Sequence, residues 1–179
     1  GQGMEEDAAG MRKVLAAVPE ALVCYSCDKN FGLYRERVGA LYVLARNADD
    51  TAKVLTNGHI LARVNWSQPP DHGAAAARIV LEDAGLTKQW PAELDEMRAR
   101  MREVRDTLAA ADNRVAGLDL TAVATQNGLF SILKLDKDQI LALREKHGVY
   151  MAGSGRINVA GLTKGNIGQF IAALADVAG

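Results

Sequence analysis

The sequence predicts an α/β fold. Two apolar runs of strand length, residues 21–25 and 38–45, lie between stretches whose apolar residues recur at helical spacing. After Asn113 short strand-like runs alternate with helical ones again, more tightly. No internal repeat or low-complexity tract interrupts this order. It reads as a piece of one domain, up to about the middle of a long helix, followed by a smaller α/β domain.

Taken in order, residues 5–17 carry Met11, Val14 and Leu15 at helical spacing, with acids in the first turn and Pro19 beyond the end, so they predict an amphipathic helix. The runs 21–25 and 38–45 have the unbroken apolar character of buried strands, and Lys29 falls in the turn between them. A helical period returns over 49–64, interrupted at Asn57-Gly58, and the paired prolines make 66–70 a loop or extended crossing. An alanine-rich helix is expected over 73–83 and a long one over 87–111. The long one has charge pairs at i,i+4, an apolar stripe of Met97, Met101, Val104 and Leu108, and Pro91 near its first turn. Beyond it come a strand at 128–133, a helix at 136–146 started by Asp136, short strands at 149–152 and 157–159, and a closing helix over 163–177.

With 179 residues, 49% of them hydrophobic and 24% charged, the chain is long enough to bury a sizeable core. A formal net charge of −1 provides no broad basic field, so nucleic acid is not an expected partner. No apolar run approaches the ~18 residues of a membrane span, and the N-terminus is acidic where a secretory signal would be basic and then apolar. A cytoplasmic setting without membrane attachment is the default expectation.

Chemistry concentrates in Ser26-Cys27-Asp28-Lys29-Asn30-Phe31-Gly32-Leu33-Tyr34-Arg35-Glu36-Arg37-Val38-Gly39, where an amine, a hydroxyl and a guanidinium sit between an apolar run and a glycine. That grouping suits a lysine held as an imine beside an anchored phosphate. An exposed lysine is a poor nucleophile, so imine chemistry needs burial or neighbouring cations, and an apolar strand plus Arg37 could supply both. The competing reading is an ordinary surface lysine in a turn. Arg156 lies between Gly155, which permits close backbone approach, and a strand that fixes its direction; the bland alternative is a surface arginine at a strand start.

Together with Arg63-Val64-Asn65-Trp66-Ser67-Gln68-Pro69-Pro70-Asp71-His72-Gly73 and Gly148-Val149-Tyr150-Met151-Ala152-Gly153-Ser154-Gly155-Arg156-Ile157-Asn158-Val159-Ala160-Gly161, the Lys29 segment resembles, in the same order, the class I aminotransferases that act on aspartate and aromatic amino acids. The resemblance covers nearly the whole chain but only the later half of a family member, which implies a fragment of a longer enzyme. It implies the fold type I of pyridoxal-phosphate-dependent transferases, with residues 1–97 as the end of the large cofactor-binding domain and residues 98–179 as the small C-terminal domain. It further implies pyridoxal 5'-phosphate as cofactor, Lys29 as the Schiff-base lysine, and Ser26 and Arg37 as phosphate ligands. Arg156 would take the substrate α-carboxylate as a bidentate pair. Arg63 would reach into a second subunit's site to meet a distal carboxylate, which implies a homodimer with shared active sites. Phe130 would line the site, although a strand phenylalanine is more often plain core. Transamination between aspartate, tyrosine or phenylalanine and a 2-oxo acid such as 2-oxoglutarate follows. Asp28 stands where the family carries a small neutral residue, and Gln68 where many members carry asparagine.

Two other classes of function compete. Cys24-Tyr25-Ser26-Cys27 has the spacing of a thiol redox motif, but it enters a turn rather than opening a helix, which favours two buried reduced cysteines. A non-catalytic assembly module is the other, since strands cut from a sheet expose edges and apolar surface. Gly153-x-Gly155 lacks the third glycine of a dinucleotide fingerprint, and no metal site is expected from the scattered histidines and cysteines.

Overall fold

A computed structural model describes residues 1–179, the side chain of Arg114 excepted. The chain divides into two compact units, residues 3–94 and residues 95–179 with the first two residues.

The N-terminal unit starts with α1 (Met4–Ala17), whose first turn carries Glu5, Glu6 and Asp7, favourable against the positive end of the helix dipole. β1 (Ala21–Ser26) and β2 (Gly39–Leu44) pair antiparallel, from Ala21 opposite Leu44 to Ser26 opposite Gly39. Gly39 is required at that closing rung, because a Cβ there would stand 2.2 Å from the Tyr25 carbonyl oxygen. The apolar runs predict buried strands, whereas Leu22 is 69% exposed and Leu41 61%. The ladder has two strands among the described residues, and the contact that the following helix makes with β2 leaves Leu22 and Leu41 open.

Helix α2 (Ala48–Trp66) is capped by Asn47, whose side chain accepts from the Asp50 N–H at 2.9 Å. It runs straight through Asn57-Gly58, contrary to the expected interruption. A helical glycine costs about 1 kcal/mol, too little to break a helix this long, and the Asn57 amide donates to the Lys53 carbonyl at 3.0 Å. The helix also includes Trp66 and stops at Ser67, in the left-handed half of φ at 57°, ahead of the two prolines. After α3 (His72–Glu82), α4 spans Ala84–Ala109, earlier than expected, because the Asp83 carboxylate accepts from the N–H groups of Gly85 and Leu86, both at 2.9 Å. Pro91 consequently lies inside α4 rather than in its first turn, and leaves the Thr87 carbonyl without its helical donor.

The C-terminal unit contains a contiguous apolar core. Val104 and Leu108 of α4 meet Leu120 and Val123 around α5 (Thr121–Thr125), Leu143 of α6 (Lys137–His147), and Phe170, Ile171 and Leu174 of α7 (Ile167–Ala178). β3 (Phe130–Ile132) and β4 (Arg156–Asn158) pair antiparallel, and Val159–Gly161 forms a 3-10 turn. As expected, Asp136 starts α6, in a reciprocal capping box with Gln139 at 2.8 and 2.9 Å. Residues 149–152 form no strand. Gly148 ends α6 at φ 65°, and the Val149 N–H turns back onto the Leu143 carbonyl, so the following segment has no ladder partner. The closing helix begins at Ile167 rather than at 163, since the Asn166 side chain accepts from the Thr163 N–H and holds a turn there.

Candidate active site

In the N-terminal unit, the connection between β1 and β2 gathers Ser26, Asp28, Lys29 and Arg37. The Cys27 N–H donates to the Val38 carbonyl at 3.0 Å, extending the ladder one rung and folding the loop onto itself. Asp28 is 4% exposed and is its centre. Its carboxylate accepts from Arg37 Nη1 at 2.5 Å and lies 3.7 Å from Lys29 Nζ, while its N–H donates to Ser26 Oγ at 3.2 Å. The Arg37 guanidinium, first among the causes, holds the Asp28 carboxyl below the usual carboxylate range. Arg37 Nη1 also donates to the Tyr34 carbonyl at 2.9 Å, and Arg37 is one of two non-glycine residues with positive φ among those described, at 52°. That left-handed backbone is costly for a branched-out side chain and persists only where surrounding contacts impose it. Lys29 Nζ is 5.4 Å from the Tyr34 ring centroid, and its side chain is about half exposed at 48%.

The loop is pinned from one side by α4. Trp90 Nε1 donates to the Asn30 carbonyl at 2.8 Å, and its ring stacks on Phe31 at 4.4 Å. Nothing in the sequence signals this contact between positions so far apart in the chain. Asn30 Nδ2 donates to the Tyr25 hydroxyl, while Asn30 Oδ1 is buried without a partner among the described residues.

The cysteines do not form a redox centre. Cys24 is exposed and Cys27 buried, and burial, assisted by the Asp28 charge, pushes the Cys27 thiol up, away from thiolate reactivity. No disulfide joins them.

In the C-terminal unit, Arg156 and Phe130 come together. The guanidinium carbon lies 4.9 Å from the Phe130 ring centroid, a cation–π contact across the β3–β4 ladder. Phe130 is 44% exposed, so it is not core, and both residues line an open cleft of about 710 Å³ with Tyr150, Met151 and Gln169. Gly155 fixes the approach: its φ is 77°, and a Cβ there would stand 2.1 Å from the Leu133 carbonyl oxygen. Arg63, in the last turn of α2, is exposed and belongs to neither cluster.

Asp28 and Arg105, like Trp90, support the site without standing out as site residues in the sequence. Asp28 was visible as a carboxylate beside the lysine, but not as the partner of Arg37. Arg105 is buried beneath β3; the signal was there, since it lies four residues after Met101 and three before Leu108, on the apolar stripe of the long helix.

Residues 1–174 match the family model described as aminotransferase class I and II, and the chain belongs to that family. It is 48% identical to a tyrosine aminotransferase of Rhizobium meliloti over 90% of this chain and 41% of the relative. It is 38% identical to an aspartate aminotransferase of Escherichia coli K12 over 98% of this chain and 45% of the relative. An aromatic-amino-acid aminotransferase from Burkholderia pseudomallei, described as covalently bound to pyridoxal phosphate, superposes with a TM-score of 0.93 at 37% identity, over all of this chain and 45% of that one. The fold is that of the fold type I transferases, as the resemblance implied. The chain spans less than half the length of the relatives it matches.

Proposed function

We propose that this chain supplies the cofactor lysine and the carboxylate-binding arginine of a pyridoxal-phosphate-dependent aminotransferase that moves an amino group between aspartate or an aromatic amino acid and a 2-oxo acid. The observation that carries it is the convergence of a primary amine, a hydroxyl and a guanidinium on the single β1–β2 connection, in a fold shared with a protein described as covalently bound to that cofactor.

The donor set fits the cofactor. Both contacts of the Arg37 guanidinium are made by Nη1 among the described residues, which leaves Nε and Nη2 for phosphate oxygens, and Ser26 Oγ is on the same loop. When bound, pyridoxal phosphate supplies the aldehyde and the electron sink. Lys29 would hold it through Nζ, and the free Nζ amine would be the group that takes up and carries the proton of the substrate α-carbon. Arg156 receives the α-carboxylate in a two-bond fork; its place over the Phe130 ring keeps the guanidinium from swinging free. Arg63, exposed at the end of α2, serves the distal carboxylate of aspartate in a second copy of the protein, which makes the working unit a homodimer with shared sites. Residues 1–97 then belong to the large domain and residues 98–179 to the small one. No described helix is long and apolar enough to cross a membrane.

The test is borohydride reduction of the complete polypeptide loaded with pyridoxal phosphate, followed by peptide mass analysis. A pyridoxyl group on Lys29 is expected; its absence from that peptide ends the reading. Rates with aspartate, phenylalanine and tyrosine then rank the substrates.

A further inference from the structure

Arg105 is a buried cation, 2% exposed, with no carboxylate on it among the described residues. Nη1 donates to the Val123 carbonyl at 3.0 Å and to Ser131 Oγ at 2.7 Å; Nη2 donates to the carbonyls of Gly128 at 2.7 Å and Phe130 at 3.2 Å. Taking a guanidinium out of water is costly and is tolerated only where dipoles replace its hydration. The cost is visible in its basicity: burial first, and the nearby Arg102 charge second, push its pKa down from the arginine range. A methionine or leucine would fill the same place in the apolar stripe without that cost, so what the fork accomplishes is geometric.

Three of its four acceptors lie on residues 128–131, the turn into β3 and the strand itself. Arg102, one turn earlier, adds bonds to the Ala124 carbonyl at 2.7 Å and Asn127 Oδ1 at 2.9 Å, so the approach to the strand is held at successive points. β3 in turn sets β4. Ile132 is opposite Arg156, the Leu133 N–H donates to the Gly155 carbonyl at 2.9 Å, and the Val159 N–H donates to the Leu129 carbonyl at 2.8 Å. Phe130 is thus held at both ends, its carbonyl by Arg105 and its ring beneath the Arg156 guanidinium.

We propose that Arg105 is a positioning residue for carboxylate recognition: by fixing β3 and the Phe130 ring from the buried side, it holds Arg156 with its fork presented to the cleft. The proposal rests on the reading of Arg156 as the carboxylate ligand. A lysine cannot replace it, because one ammonium cannot reach four acceptors spread over α5, the turn and the strand.

The experiment uses the complete, cofactor-loaded protein and compares Arg105→Lys, Arg105→Met, Phe130→Leu, Arg156→Lys and Leu174→Ala. Leu174→Ala, on α7, opens a cavity in the same core while leaving the four Arg105 hydrogen bonds their partners, and serves as the stability-matched control. Arg105→Lys is expected to raise KM for 2-oxoglutarate about tenfold, in line with the cost of sub-ångström misplacement, while kcat and cofactor absorbance change little. Phe130→Leu, which keeps the backbone acceptor, should move KM in the same direction. Leu174→Ala should leave KM within about twofold at an equal loss of melting temperature. If Arg105→Met does not fold, Arg105→Lys carries the test. An unchanged KM in the Arg105 variants, or an equal change in Leu174→Ala, overturns the proposal. If Arg156→Lys itself leaves KM unchanged, the carboxylate reading fails instead. Amide exchange at Leu133 and Val159 then decides the positioning on its own, and unchanged exchange in Arg105→Lys overturns it.

Discussion

Ser26, Lys29 and Arg37 are brought together by one short stretch of chain, the β1–β2 pair and its connection, in a unit whose buried apolar residues among those described are Cys27 and Ala77. Arg156 and Phe130 depend instead on pieces far apart in sequence: α4 through Arg105, the turn at Gly128, and a ladder backed by a core running from Val104 to Leu174. The first arrangement is specified locally by residue type and a tight turn. The second is specified by tertiary packing. A locally built cluster can be written in a motif, whereas a packed one is written in positions that look unrelated until the chain folds.

The contrast can be broken by substitution. Lys29→Ala should reduce turnover of the complete protein to below about one part in a thousand, the scale on which positioned proton carriers act, with its melting temperature little changed, because the side chain is half exposed. Retained transamination would remove the lysine from the chemistry. Arg156→Lys should raise KM for the amino acid some tenfold to a hundredfold, since a point charge replaces a fork; an unchanged KM would mean that another group takes the carboxylate.

The packing half of the comparison is sharpened by paired truncations in this chain. Leu174→Ala, at a fully buried position, should cost about 2–5 kcal/mol, and Leu22→Ala, on the open strand face, less than about 0.5 kcal/mol. A large cost for the latter in a longer polypeptide would reveal that the β1 face is covered there.

Smaller effects are expected from charge. Asp28→Asn removes a negative charge from the cradle that Arg37 and Lys29 form, so retention of pyridoxal phosphate on dialysis should tighten severalfold; weaker retention would show that Asp28 acts chiefly by aiming Arg37. At the far end of α6, Asp176 accepts from His147 at 2.9 Å, and that bond, with the Lys146 charge second, holds its carboxyl below the ordinary range. A depressed carboxyl contributes stability that is present above its unfolded value and is lost as pH falls. The melting-temperature gap between the parent and Asp176→Asn should therefore close between about pH 5 and pH 3, and a gap constant over that window would refute the linkage.

These differences also explain what the sequence could reveal. The α/β class, the helix started by Asp136 and the Lys29 and Arg156 segments are all local signals, and all were legible. The exposure of Leu22 and Leu41 departs from the burial that their apolar runs predict, because such a run reports a preference for cover without reporting whether cover is present. The break expected at Asn57-Gly58 failed because propensity costs of about 1 kcal/mol are absorbed by a long helix. The apolar stripe of α4 puts Arg105 on the buried face, but its bonds to β3 some 25 positions on, like the Trp90 bond across 60, are carried by no periodicity.

Trp90 leaves the lysine loop with a built-in optical probe. The chain has two tryptophans, and the other, Trp66, is 57% exposed at the end of α2. The Trp90 indole is bonded to the carbonyl of the residue that follows Lys29 and stacked on the next ring along. Its fluorescence therefore reports on the immediate surroundings of that amine, without any label, against a background that one conservative replacement at Trp66 would silence.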